Sequence, residues 1–395
     1  MPDAVIVSAC RTAIGTSFKG TLVDTEATVL GGAVVRESLD RTGIPAAEID
    51  NLILAESLYG GGVLARYIAV ETGLATVPGV AMNRHCASGL AAIETAAGSI
   101  MAGMDQAVIA GGVHSMSTAP TATKRTLGTA DYAPWMSPSH PESPDAPAFD
   151  MSITVGWNTA KIVGISREEM DAWALRSHER AIAAIDEGRF TKEIVPIKVT
   201  TADGSAVVFE VDEHPRRGTS MERLAGLKPL HAEIEGFSIT AGNASGINDA
   251  ASALVLTSDA FAASRQLTPL ATVRSWAAVG VDPYETGMAP TIAIPKALGR
   301  AGLSVADVDL WEINEAFASV PVAACKVLDI DPALVNISGS GCSLGHPIAA
   351  TGARMVTTLI NDLARRGGGI GVASMCAGGG MGSALVIEVA PNGRP

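Results

Sequence analysis

Aromatic side chains are scarce in this chain of 395 residues, at 4%, although hydrophobic residues reach 47%. The core must therefore be built from Ala, Val, Leu, Ile and Gly, which suits buried strands and tightly packed helices. No Lys/Arg run breaks a formal charge of −13 and a pI near 5.0. That balance argues against nucleic acid or an anionic membrane surface as partner, and a phosphate-bearing ligand would need a few local basic residues. No CxxC pair occurs among the five cysteines, Cys10, Cys86, Cys325, Cys342 and Cys376, so neither a structural zinc site nor any other metal centre is expected. Their odd number and wide spread fit a reducing compartment, and a cytoplasmic location is the expectation. No apolar run of about 18 residues free of charges and breakers marks a membrane span. No signal-peptide pattern precedes the strand-like "AVIVSACR" at residue 4, and the end "PNGRP" carries no Ser-Lys-Leu signal.

What is present is an alternation. At this length two or three structural units are expected. Strand-like "AVIVSA", "NLILAES", "VPGVAMN" and "QAVIAGGV" alternate with helical "ATVLGGAVVRESLDRTG", "LARYIAVETG" and residues 87–103. Such βαβ order predicts a mostly parallel, covered sheet. Residues 119–150 turn rich in Pro, Ser, Thr and Asp and read as irregular loop over a site or an interface. "SREEMDAWALRSHERAIAAIDEG" then reads as an amphipathic helix, with Ser166 and Glu169 in a capping-box pattern. Strand character resumes at "SALVLTS". From about residue 270 the order repeats: "ATVRSWAAVG" strand, "TIAIPKALGRAG" helix, "VDLWEIN" strand, "EAFASVPVAACKVL" helix, "ALVNISG" strand, "AATGARMVTTLINDLARRG" helix, then paired strands "GIGVASMC" and "SALVIEVA". The pattern indicates an internal duplication, with Cys86 and His346 at equivalent places in the two copies.

Four turns carry chemistry. In "NRHCASG" the thiol of Cys86 stands at a helix mouth. A cysteine beside an apolar helix is ordinarily a small core hydrophobe, but the turn is too polar for plain core. A helix dipole and a neighbouring imidazole would lower the thiol pKa from about 8.5 by one to several units. In "GSGCSLGHPIAATG", His346 precedes a helix and is either a capping side chain or the base for Cys86. In "SMCAGGGMGSA", four glycines within five positions follow Cys376, giving either a plain hairpin or a second thiol beside exposed backbone N–H groups. A strand follows this turn, so it is not the GxGxxG opening of a nucleotide-binding crossover helix. In "EINEAFAS", Asn314 is a helix cap or the holder of a water or substrate oxygen.

Together these segments resemble the thiolase family of acyl-CoA C-acyltransferases. "NRHCASG", "NEAF", "GHP" and "CAGGGMG" occur in family order, with "CRTAIG", "AGGVHSMS", "SREEMDAWALRSHERA", "LKP" and "TAGNASGINDAASA" also similar, so the resemblance runs from about residue 4 to 390. It implies two βαβαβαββ halves stacked as a five-layered αβαβα core. Residues 1–118 with 246–270 would form the N-terminal half, 119–245 an inserted loop domain and 271–395 the C-terminal half. It implies a ping-pong acyl transfer through acylated Cys86, with His346 activating it and Cys376 as general acid/base. Asn314 would hold a water that forms one oxyanion hole with His346, and the N–H groups of Cys86 and Gly378 would form the other. Ser245 and Arg216 would contact coenzyme A, which is a co-substrate and not a resident cofactor. Acyl-CoA would be the only other ligand, and dimers or tetramers the assembly.

Several positions depart from the family pattern. Cys342 and Ala349 are unusual in the GHP turn, and His114 stands where many relatives carry Glu. In the covering motif Thr154, Val155, Trp157 and Lys161 replace the short-chain pattern, whose His and Met fall at Thr154 and Val155. Thr286 stands where those members place a Met. These changes point to degradation of a longer or unusual 3-oxoacyl-CoA, with a short-chain acetoacetyl-CoA thiolase as alternative. A β-ketoacyl synthase would need a second His or an Asn where Cys376 stands. An acyl-CoA- or lipid-binding relative would lack one of Cys86, His346 and Cys376. A nicotinamide or flavin enzyme would need a fingerprint that is absent.

Overall fold

The computed structural model describes residues 2–59, 63–201 and 203–391, so the end "PNGRP" lies outside the described residues except for Pro391. The first half contributes β1 (Ala4–Thr12), α1 (Ala27–Thr42), β2 (Asn51–Ala55), α2 (Leu64–Glu71), β3 (Gly79–Met82), α3 (Ser88–Met101), β4 (Ala107–His114) and, after a long excursion that includes α4 (Arg167–Asp186), β5 (Asn248–Ser258). The second half contributes β6 (Ala271–Gly280), α5 (Ala289–Ala301), β7 (Leu310–Ile313), α6 (Ser319–Leu328), α7 (Thr351–Arg365), β8 (Gly369–Ala377) and β9 (Met381–Val389). Left-handed Gly43 stops α1 as the sequence predicts, and Ser166 closes a full capping box with Glu169 on α4.

The strands run β7-β8-β9-β6-β1-β5-β4-β2-β3, and the halves meet where β1 and β6 pair over Val5–Thr272 and Ile6–Ala271. The duplication is plain in this order. The first half reads β1-β5-β4-β2-β3, and the second reads β6-β9-β8-β7 with Val335 bridging Trp311 in the fifth place. The sheet is mixed, not mostly parallel. Within each half one strand (β5 or β9) runs antiparallel to both neighbours, because β9 follows β8 through a tight hairpin turn and β5 returns from the excursion. "ALVNISG" forms only that single bridge. Asn336 takes a left-handed φ of 53°, and its side-chain amide exchanges two 2.9 Å hydrogen bonds with the backbone of Ile313, replacing the next rung of the ladder. Residues 119–150 are not wholly irregular, since an exposed hairpin pairs Ala122–Arg125 with Tyr132–Trp135.

Helices α1 and α2 cover one outer face, α5 and α6 the other, and α3 and α7 lie between the half-sheets, giving five layers. The two central helices cross at glycines. A Cβ on Gly89 would sit 2.8 Å from the Ala353 nitrogen, and one on Gly352 would strike the Leu90 nitrogen. This near-contact of backbones brings the N-terminal ends of α3 and α7 together, and with them the turns that carry Cys86 and His346. Among the described residues no helix is long and apolar enough to cross a membrane.

Candidate active site

Cys86 lies two residues before α3, in a turn that is wired in place. The Arg84 N–H donates to Ser88 Oγ (2.8 Å), Ser88 Oγ donates to the His85 carbonyl (2.5 Å), and the His85 N–H donates to Asn83 Oδ1 (2.9 Å). His85 sits at φ 47°, a left-handed conformation that costs a non-glycine residue about 1–3 kcal/mol. This strain is held by the surrounding bonds and aims the next residue, Cys86. The sulfur is approached by the N–H groups of Gly378 and of Cys86 itself, which pull its pKa down, but burial outweighs them and the thiol pKa is raised. The helix mouth therefore does not deliver a resting thiolate, contrary to the sequence expectation. Cys376, at the end of β8, lies close enough for the Cys86 charge to be felt, and burial also pushes its pKa up. Around it pack Val155, Ala316 and Val320, with Met151 and Phe317.

His346 is buried and neutral, its pKa lowered to about 3 chiefly by desolvation, with His114 and Arg354 adding to the effect. Its tautomer follows from its neighbours. Thr351 Oγ1 donates its one proton to the Pro347 carbonyl (2.9 Å), so the 2.7 Å contact with His346 Nδ1 must be an Nδ1–H donation. Nε2 then carries the lone pair, facing the Asn314 side-chain amide at 3.5 Å. A base so tautomerised can accept a proton at Nε2. Asn314 is fixed by its backbone N–H to the Ser374 carbonyl (3.0 Å), while its Oδ1 is buried without a partner in the described residues.

The turn that presents His346 rests on residues the sequence reading left without a role. The Glu315 carboxylate accepts from Trp173 Nε1 (2.9 Å), Ser177 Oγ (2.6 Å), Asn336 Nδ2 (2.8 Å) and the Cys342 N–H (3.0 Å). Asn248 Oδ1 accepts the His346 N–H at 3.1 Å. Both lie inside the quoted motifs "NEAF" and "GINDAASA", which was the one available signal. Cys342 is thereby a scaffold residue of the turn. Ser245 reaches the cluster, since its N–H donates to the Ala316 carbonyl (2.9 Å). Arg216 does not. It is exposed on a separate loop, where its N–H donates to His178 Nδ1 (3.1 Å).

The substituted positions are occupied by structural work. Buried Thr154 donates to the Pro147 carbonyl (2.7 Å), within a π-helical segment Ser152–Trp157. Thr286 donates to the Pro283 carbonyl (2.6 Å) and accepts the Gly380 N–H (3.0 Å), holding the glycine turn. Lys161 lies over the rings of Trp157 and Tyr284.

Residues 4–260 match the thiolase N-terminal domain, and residues 267–389 the thiolase C-terminal domain. The chain belongs to the thiolase family. Its relatives include an acetyl-CoA acetyltransferase of Pseudomonas aeruginosa, 42% identical with 98% of this chain and 99% of that protein covered. A 3-ketoacyl-CoA thiolase of Bacillus subtilis is 39% identical, with 98% and 100% covered. The crystal structure of the Bacillus anthracis acetyl-CoA acetyltransferase superposes with a TM-score of 0.90 at 41% identity, covering 98% of this chain and 99% of that one. This thiolase is therefore an acyltransferase, and its fold is that of its relatives.

Proposed function

We propose that this thiolase cleaves a 3-oxoacyl-CoA with free coenzyme A, through an acyl group carried on Cys86. The observation that supports it most is a second thiol, Cys376, near enough to Cys86 to feel its charge, with the N–H groups of Gly378 and Cys86 at the Cys86 sulfur, while His346, with Nδ1–H tied to Thr351, keeps its lone pair on Nε2. His346 Nε2 takes the Cys86 proton, and the thiolate attacks the 3-oxo carbon. The C2–C3 bond breaks, and Cys376 gives its proton to C2 of the departing acetyl-CoA enolate. The Cys376 thiolate next deprotonates coenzyme A, whose sulfur attacks the acyl group, and Cys86 leaves and recovers its proton from His346. The N–H groups of Cys86 and Gly378 hold the oxyanion on the attacked carbon, and His346 with a water on Asn314 holds the enolate oxygen. Each such donor is worth about 2.7–4 kcal/mol. Ser245 and Arg216 are proposed to contact coenzyme A.

We infer a longer or unusual acyl chain, because Thr154 is tied to Pro147 and Thr286 to the glycine turn, so neither replaces the side chain the short-chain pattern would place against the ligand. Acetoacetyl-CoA chemistry is the second reading, favoured by the names of most relatives. An oligomer accords with Leu127, Tyr132 and Met136, apolar side chains more than half exposed on or beside the hairpin of the excursion. The test is thiolysis of a graded panel of 3-oxoacyl-CoA substrates by wild type and Cys86→Ala. Cleavage is expected to vanish in the variant and to peak beyond four carbons. A peak at acetoacetyl-CoA would favour the second reading, and cleavage surviving in Cys86→Ala would refute the assignment of the nucleophile.

A further inference from the structure

His114 closes β4, and nothing in the reaction above uses it. The two halves differ at this point. β4 pairs with β5 so that His114 faces Ala250, two residues before Ser252, and β8 pairs with β9 so that Ala377 faces Met381, two before Ser383 in the matching "SALV" run. The matching place in the second half holds alanine, and this half holds an imidazole. It is 1% exposed, and neither ring nitrogen has a partner among the described residues. Gly112, on the same face of β4, lies so close to the carbonyl of Ala349 that a Cβ there would overlap it. His114 therefore projects toward the turn between His346 and α7.

Of the charged groups near His346, Arg354 on α7 pairs with Glu312 at 2.8 Å, and its remaining positive charge opposes an imidazolium. On β5, Asp249 is taken up by Ser17, Met116 and Ser117. Thr351, Asn314 and Asn248 are neutral, and Cys86 and Cys376 are thiols. No carboxylate is hydrogen-bonded to His346 among the described residues. An imidazolium at His346 thus has no anion of its own, and the residue beneath its turn is a second base that competes for the proton.

We propose that His114 is a positioning residue for His346, an uncharged group that withholds a counter-ion and keeps the resting pair as thiol and imidazole, so that Cys86 ionises only against bound acyl-CoA. The idea rests on the reading of Cys86 and His346 given above.

The test compares wild type, His114→Gln and His114→Glu. Iodoacetamide alkylation of Cys86 at pH 7 is followed by peptide mass, and thiolysis is followed against pH. A carboxylate at 114 stabilises the imidazolium, so His114→Glu is expected to alkylate about tenfold faster, one pKa unit's worth, and to move the acid limb of kcat/KM upward. His114→Gln removes only the competing base and is expected to move that limb upward by less. Lost packing alone would lower activity without this ordering. Identical alkylation rates and pH limbs in all three proteins would overturn the proposal. Should His114→Glu fail to fold, an unmoved limb in His114→Gln overturns it alone. Acyl label found off Cys86 would instead overturn the nucleophile assignment, whatever the 114 variants do.

Discussion

At the scale of single residues, the proposed nucleophile and its proposed partners could be picked out in the sequence because each is a reactive type set in a turn too polar or too glycine-rich for plain core. Glu315, Asn248 and Thr351 were not legible as functional, because they act by holding other groups. A buried carboxylate with four donors is invisible until the chain brings Trp173, Ser177, Asn336 and Cys342 to it. The thiol pKa was misread for a related reason: a helix mouth is visible in sequence, whereas the burial that outweighs it is a property of the fold. The glycine turn separates two roles that sequence merges. A Cβ on Gly378 would meet Ser139, Met151 and His85 only at 3.6–3.9 Å, so alanine fits there. Gly380 has φ 75°, and a Cβ there would overlap the Val281 carbonyl, so alanine displaces the turn that carries the Gly378 N–H. Gly380→Ala is expected to lose about 10²–10³ in kcat, the usual cost of one oxyanion donor, and Gly378→Ala much less. Steady-state kinetics of the two variants decide it, and equal losses would mean that the Gly378 N–H is not the donor. Asn314→Ala is expected to fall in the same range with KM little changed, and a KM effect alone would place Asn314 in substrate binding instead.

At the scale of elements, long periodic helices and runs of buried strand were read nearly to their ends, since burial pattern sets both. The errors lie where a side chain takes over a backbone duty. Asn336 replaces a rung of sheet and so ends the strand expected at "ALVNISG". Residues Glu315–Ala318 stay out of α6, which begins at Ser319, because the Asn243 carbonyl accepts the Ala318 N–H from outside the helix (2.8 Å) and Glu315 turns inward to its donors. The crossing of α3 and α7 has a consequence for chemistry as well as stability. Each helix delivers one of the proposed catalytic turns, and only glycine at 89 and 352 lets the axes meet at backbone distance. Gly89→Ala or Gly352→Ala is expected to cost about 1–3 kcal/mol by overpacking. It is also expected to lower kcat more than tenfold while the protein stays folded, because the Cys86 and His346 turns move apart. Thermal melting and kcat measured on the same preparations test this, and full activity in a destabilised variant would uncouple the crossing from the site.

At the scale of the whole molecule, the order of motifs gave away the duplication, but the mixed pairing and the contact between half-sheets depend on how far the β5 segment travels before it returns. The same burial that silences the resting thiol shapes the response to acid. His114, His178 and His214 have pKa values lowered to about 4 and His346 to about 3, each mainly by desolvation. In the unfolded chain each would titrate near 6.5. Below that value the unfolded state binds more protons than the folded one, so stability is full above pH 6.5 and falls as the pH drops toward 4. Each group contributes up to about 1.4 kcal/mol per pH unit across that window, His214 less because it is partly exposed. Urea midpoints between pH 7.5 and 4.5 are expected to fall steeply from about pH 6.5 downward, and the slope is expected to flatten in His178→Gln, whose neutral amide still accepts the Arg216 N–H. A midpoint level down to pH 5 would mean that these imidazoles are protonated in the folded protein. Burial would then not set the protonation of His346, and the proposed transfer from Cys86 would begin at an imidazole with an ordinary pKa.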